Sequence, residues 1–230
     1  MNMNTVNQHK ALVRTARITG VWYLMLAITG IVGFILLNPR IYVTDDLAKT
    51  LANLTDHETL ARLRLLFELL IVISQALAAV WFYKLFKDIQ PTNAWALAVW
   101  GTVNSVAIMI SAMAMGGAIE IANNSTWELS EKLLLIQLFI QFIKNAWAVG
   151  GLFFGLWLIP MGYIVVSSKC MPAWLGRILI LGGVGYIAST FISYMGVSGT
   201  WVNMLTISAT VGEFWMIGYL LIYGIRRIKL

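Results

Sequence analysis

The sequence predicts an all-α fold: a polytopic membrane protein built as a six-transmembrane-helix bundle, with short amphipathic helices on its outer face. Three observations predict it. Of 230 residues, 60% are hydrophobic and only 11% are charged, against about 45–50% apolar and about 25% charged in a soluble domain. Six apolar stretches reach the roughly 20 residues a helix needs to cross a bilayer core about 30 Å thick. Most charges fall between those stretches. This pattern excludes a soluble enzyme, a disordered chain and a nucleic-acid-binding domain, even at a net charge of +6.

The first span, Ile18–Leu37, carries no charge, and the 17 mostly polar residues before it argue against a cleaved signal peptide. The second, Leu65–Leu85, holds Glu68 and Lys84 near its ends. The third is Ala94–Ile119, closed by Glu120. The fourth is Ala146–Val166, the fifth Ile178–Met195 and the sixth Asn203–Tyr223, which contains Glu213. No linker rich in Pro, Gly or Ser divides them, so residues 1–230 read as one membrane domain.

Two further helices are expected outside the bilayer. Asp45–Asp56 has Thr44 as N-cap, two acids in its first turn, and Leu47, Leu51 and Leu54 on one face. The fourth span has a long lead-in: Leu133–Ser168 is a helix-compatible run of 36 residues, about 54 Å if helical. Trp127–Lys144 therefore reads as an amphipathic extension, with Glu128 and Glu131 at its wet end. The two pieces either form a lid or lie separately at the headgroups.

Lysine and arginine set the orientation. Lys10, Arg14, Arg17, Lys84, Lys87, Lys169, Arg177, Arg226, Arg227 and Lys229 fall on one side, with Asp88 as their one acid. The other side has six basic residues and seven acids. Both termini are thus expected in the cytoplasm, with the protein in the cell (inner) membrane.

Function concentrates on Glu213. It lies ten residues beyond Asn203, about 15 Å along a helix, where a carboxylate costs at least about 2.5 kcal/mol to insert. Asn203, Thr206, Thr210 and Glu213 follow an i, i+3, i+7, i+10 spacing and would share a face. Either they line a polar cavity in which Glu213 meets a ligand, or a neutral Glu213 ties two helices together. Asn104, Tyr186 and Ser189 are candidate neighbours from other spans, and Gln141 heads a face that runs down to Gly151 and Gly155, a GxxxG pair. Glu68 follows Arg64 by four residues, so a local ion pair accounts for it. Trp157 and Trp215 are deep tryptophans that suit core or lipid packing, and Pro160 should kink the fourth helix. The single cysteine, Cys170, cannot form an intrachain disulfide. No Cys/His cluster has metal spacing, and neither a metal nor a cofactor is expected.

Several stretches together resemble an uncharacterised bacterial family of six-span integral membrane proteins, known only as a domain of unknown function. They are Arg17-Ile18-Thr19-Gly20-Val21-Trp22-Tyr23-Leu24, the run from Phe153 through Pro160 to Tyr163, Pro172 through Leu179 with Gly185-Tyr186, and Gly212-Glu213-Phe214-Trp215. The resemblance implies a six-span bundle and supplies no activity and no catalytic residue. Three functions compete. The first is binding or transport of a small-molecule or lipid-like ligand in an outward-open cavity with Glu213 at its floor. The second is an accessory subunit whose small-residue and polar faces pack on a membrane partner or on further copies of the chain. The third, an intramembrane enzyme, is weakest, because a glutamate without nucleophile or metal specifies no reaction.

Overall fold

The computed structural model describes residues 3–226, with side-chain environments from Asn7 onward. Arg227 and Lys229, counted in the basic tail, lie outside the described residues. Among the described residues the regular structure is helical, with no strand. Six helices are long and apolar enough to cross a membrane, and the chain is an integral membrane protein.

Helix α1 (Met3–Gly30) passes through a π-helical stretch, Ile31–Leu37, into α2 (Asn38–Ile41). It starts well before Ile18, because the arm has neither Gly nor Pro and is rich in helix formers. Helix α3 (Leu47–Asp56) is the small helix expected from Asp45. Its cap is Asp46 rather than Thr44: the Asp46 side chain accepts from the Lys49 N–H at 2.8 Å, and Asp45 sits outside the helix at φ 64°. Helices α4 (Glu58–Phe86) and α5 (Pro91–Asn123) follow. Pro91 opens α5, where its missing N–H costs nothing. Helix α6 (Leu129–Ser168) runs unbroken for 40 residues, straight through Pro160. The extension is therefore continuous with the fourth span, and the Glu131 side chain reaches back to the Glu128 N–H to close its first turn.

Helix α7 (Ala173–Tyr194) ends in a Schellman motif. Gly196, at φ 82°, donates to Ser193 O while Val197 donates to Ile192 O. The sixth span is broken. Helix α8 (Thr200–Met204) stops, Leu205 and Thr206 make tighter i to i−3 bonds, and α9 (Ile207–Ile222) continues. The cause lies opposite: a β-carbon at Gly185 would fall 2.0 Å from the Leu205 carbonyl oxygen. The backbone at the break fills the space that Gly185 leaves.

The residues cluster into two compact units, and each boundary between them falls inside a helix. Unit 1 comprises Met1–Leu24, Ser74–Asn104 and Gly150–Leu230. Its core is a glycine seam and an aromatic cluster. A β-carbon at Gly155 would lie 2.5 Å from Gly183 O, and one at Gly183 would lie 2.7 Å from Gly155 O. Gly162 and Gly176 repeat this reciprocal contact at 2.4 and 2.5 Å. Helices α6 and α7 thus meet backbone to backbone at two levels seven residues apart, an arrangement that only small residues permit. On its other side α7 presses Gly182 against Ala209 of α9. Tyr23, Phe82 and Trp157 are buried edge to face around one point, with ring centroids 5.3–5.6 Å apart.

Unit 2 comprises Met25–Ile73 and Ser105–Val149. Leu51 and Leu54 of α3 share one apolar cluster with Ile41, Ile119 and Ile136. The small helix and the α6 extension therefore pack into a common core rather than lying apart as two unrelated surface helices.

Candidate functional site

Each unit holds a carboxylate centre away from the charged ends of its helices. In unit 1 it is Glu213. Helix α9 buries Ala209, Gly212, Met216 and Leu220 and exposes Thr210, Val211 and Phe214. Glu213 falls on the border between these faces and is half-buried. The Tyr23 hydroxyl, itself buried on α1, donates to Glu213 Oε1 at 2.8 Å. No described residue gives a hydrogen bond to Oε2. Tyr186 lies within electrostatic reach of both Glu213 and Tyr23, with its ring stacked on Phe154 at 5.7 Å.

The expected polar stripe does not assemble around Glu213. The break at Leu205–Thr206 takes Asn203 out of phase with α9, whereas Thr206, Thr210 and Glu213 keep their helical spacing along the border of the exposed face. Asn203 and Thr210 are exposed and Thr206 is half-buried. The Thr206 and Thr210 hydroxyls donate back to the carbonyls of Asn203 and Thr206. Ser189 likewise donates to the Tyr186 carbonyl. Asn104 is fully buried in unit 1, without a protein partner for either side-chain atom. Gln141 is exposed and belongs to unit 2. Of the eight residues singled out in the sequence, Glu213 and Tyr186 come together, and the partner that the sequence reading missed is Tyr23. It sits 190 positions away, beyond any local periodicity. Both Tyr23 and Glu213 do fall in stretches that carry the family resemblance, and that was the available signal.

The centre in unit 2 is the Arg64–Glu68 ion pair, one helical turn apart on α4 and 1% and 0% exposed. Trp147 Nε1 donates to Glu68 Oε1 at 2.9 Å and reaches Ser111 Oγ at 3.0 Å. The Arg64 guanidinium lies 4.5 Å from the centre of the Phe34 ring, which sits on the π-helical stretch and packs edge-on to Trp147 at 4.1 Å. Arg64 Nε and the Tyr42 hydroxyl are buried without a protein partner. The pairing follows from i, i+4 spacing. Its enclosure does not, because Trp147 and Phe34 arrive from other helices.

Among the described residues no three His, Cys, Asp or Glu side chains converge. Two open hollows occur in unit 1. One is lined by His9, Lys10, Arg14 and Arg17, the other by Trp215, Tyr219, Tyr223 and Arg226. Glu213 lines neither of them.

Comparison with known proteins adds a family and no activity. A relative from Archaeoglobus fulgidus, an uncharacterized protein, is 31% identical over 70 residues, which is 30% of this chain. The match spans 43% of that relative's length. No solved structure matches the chain. The model of the domain of unknown function DUF4386 matches residues 18–224, nearly the whole of the six-span region, and the chain belongs to that family.

Proposed function

We propose that the protein binds or transports a small or lipid-like ligand whose cationic or hydrogen-bond-donating group meets Glu213. One observation carries this reading: Tyr23 holds one carboxylate oxygen while the other takes no bond from the described protein, on a side chain that is only half-buried. A carboxylate serving only as a helix tie would be expected to have both oxygens satisfied. Tyr23 fixes the carboxylate's orientation and leaves Oε2 for a ligand.

We place the protein in the cell (inner) membrane, and the basic residues support an orientation with both termini in the cytoplasm. A second reading, an accessory subunit, draws on the exposure of Asn203 and Thr210, which offers polar groups to a partner chain or a further copy.

The test uses purified protein in detergent micelles with two probes, dodecylamine and tetraphenylphosphonium, read by the fluorescence of Trp215 two residues from the site. Saturable binding is expected for at least one probe. Glu213→Gln keeps the shape and should abolish it, while Tyr23→Phe should weaken it. Equal affinity in wild type and Glu213→Gln would sink the proposal, as would the absence of saturable binding of both probes to the wild type.

A further inference from the structure

We infer that Gln75, Asn104 and Trp157 form an internal water-binding site at Gly101, separate from the carboxylate. All three side chains are 0% exposed. Four of their polar atoms have no protein partner: Gln75 Oε1, Asn104 Oδ1, Asn104 Nδ2 and Trp157 Nε1. Buried polar groups without partners are rare and costly, so a cluster of them marks a place where something else supplies the bonds.

The atoms converge. A β-carbon at Gly101 would lie 3.1 Å from Trp157 Nε1 and 3.3 Å from Gln75 Nε2, so both side chains reach the same point on α5. Gln75 is tied to the Gly101 carbonyl only by a long 3.4 Å contact, beyond the usual range for an N–H···O bond. Leu97, Gly101, Asn104 and Ile108 follow helical spacing and are all buried, which puts Asn104 one turn further along the same face. Glycine at 101 is what lets the indole and the amide come so near the backbone.

The mixture of groups selects the ligand. A cation would be repelled by the Trp157 and Asn104 N–H groups, and no carboxylate is bonded to any of the three residues. An anion would meet the Gln75 and Asn104 carbonyl oxygens. Water both donates and accepts. It can take the indole N–H and an amide N–H while giving its protons to Gln75 Oε1 and Asn104 Oδ1. That is within the two to four polar partners typical of a buried water. The same indole packs edge-on against Tyr23, at 5.3 Å, so the site sits one side chain away from the partner of Glu213.

The test is NMR of the full-length protein in micelles with ¹⁵N-labelled tryptophan. The Trp157 indole signal is assigned by its loss in Trp157→Phe. Cross-relaxation between the Trp157 N–H and water is expected in the wild type. It should disappear in Gln75→Leu/Asn104→Leu while the other indole signals keep their positions. A wild-type Trp157 N–H with no water contact would overturn the inference, and that spectrum decides even if the double variant fails to fold. Water contact that persists undiminished in a folded double variant would overturn it too, because the amides would then hold nothing.

Discussion

Replacing Glu68 by alanine would leave the Arg64 guanidinium 1% exposed with no counter-charge. What remains to it is the Phe34 ring at 4.5 Å, a contact worth about 2 kcal/mol when desolvated. Breaking a buried pair by removing one partner costs about 3–5 kcal/mol. Trp147 Nε1 also loses its bond to Glu68 but keeps Ser111 at 3.0 Å, so this adds no more than about 1 kcal/mol. The expected loss is about 4 kcal/mol, which for a chain of this size lowers the melting temperature by roughly 10 °C. Arg64→Met/Glu68→Met removes both charges and keeps much of the volume, and such replacements are often close to neutral. Melting in detergent, followed by tryptophan fluorescence and by loss of the monodisperse peak, measures all three proteins. The reasoning fails if Glu68→Ala melts within about 2 °C of wild type, or if the double variant is as damaged as the single one.

At the glycine seam, Gly155→Ala forces a β-carbon to 2.5 Å from Gly183 O, and overpacking of this kind costs about 1–3 kcal/mol; Gly218→Ala, where a β-carbon meets nothing within 4 Å, should leave the same melting curve unmoved. Asp46→Ala removes the α3 cap and should cost about 1 kcal/mol, seen as faster amide exchange over Leu47–Leu51. Cys170 is fully buried, and burial pushes its thiol above its ordinary value, so less of it is thiolate at neutral pH. Alkylation of the folded protein should be slow at pH 7 and speed up only at a higher pH than in the denatured chain. Because Cys170 is inaccessible, orientation is better tested in a Cys170-free protein at position 174, where Trp174 is 65% exposed. Trp174→Cys should resist an impermeant maleimide in intact cells and react in inverted vesicles; labelling in intact cells would reverse the orientation.

Length and apolarity made the spans legible, since a bilayer imposes both on any helix that crosses it. The reach of α6 was legible for a similar reason: no Gly or Pro stands between Leu133 and the span that begins at Ala146. Local spacing also gave the partner of Arg64. What the sequence concealed was long-range. Nothing near Glu213 points to Tyr23, and nothing near Glu68 points to Trp147. The stripe from Asn203 to Glu213 looked like a helix face because its periodicity is sound. The break at Leu205 lies against Gly185 of another helix and takes only Asn203 out of that phase, so no local pattern records it. The choice of Asp46 over Thr44 as cap is a two-residue shift of the kind that neighbouring side chains of equal capping ability leave open.

The reciprocal glycines also constrain how the molecule moves. Where two backbones touch at Gly155–Gly183 and again at Gly162–Gly176, neither α6 nor α7 can roll without driving a carbonyl into its neighbour. On the opposite face of α7, Gly182 and Gly185 lock against Ala209 and Leu205 in the same way. These helices therefore behave as a single block that carries Glu213 with it. Helix α1 meets α9 through side chains instead of backbone: at Gly20 a β-carbon would lie 2.9 Å from Leu220 Cβ and 3.1 Å from the Leu221 side chain, of which only the latter can change rotamer. A motion that parted Tyr23 from Glu213 would thus have to come from the α1 side of that bond, with the glycine-locked block as its frame.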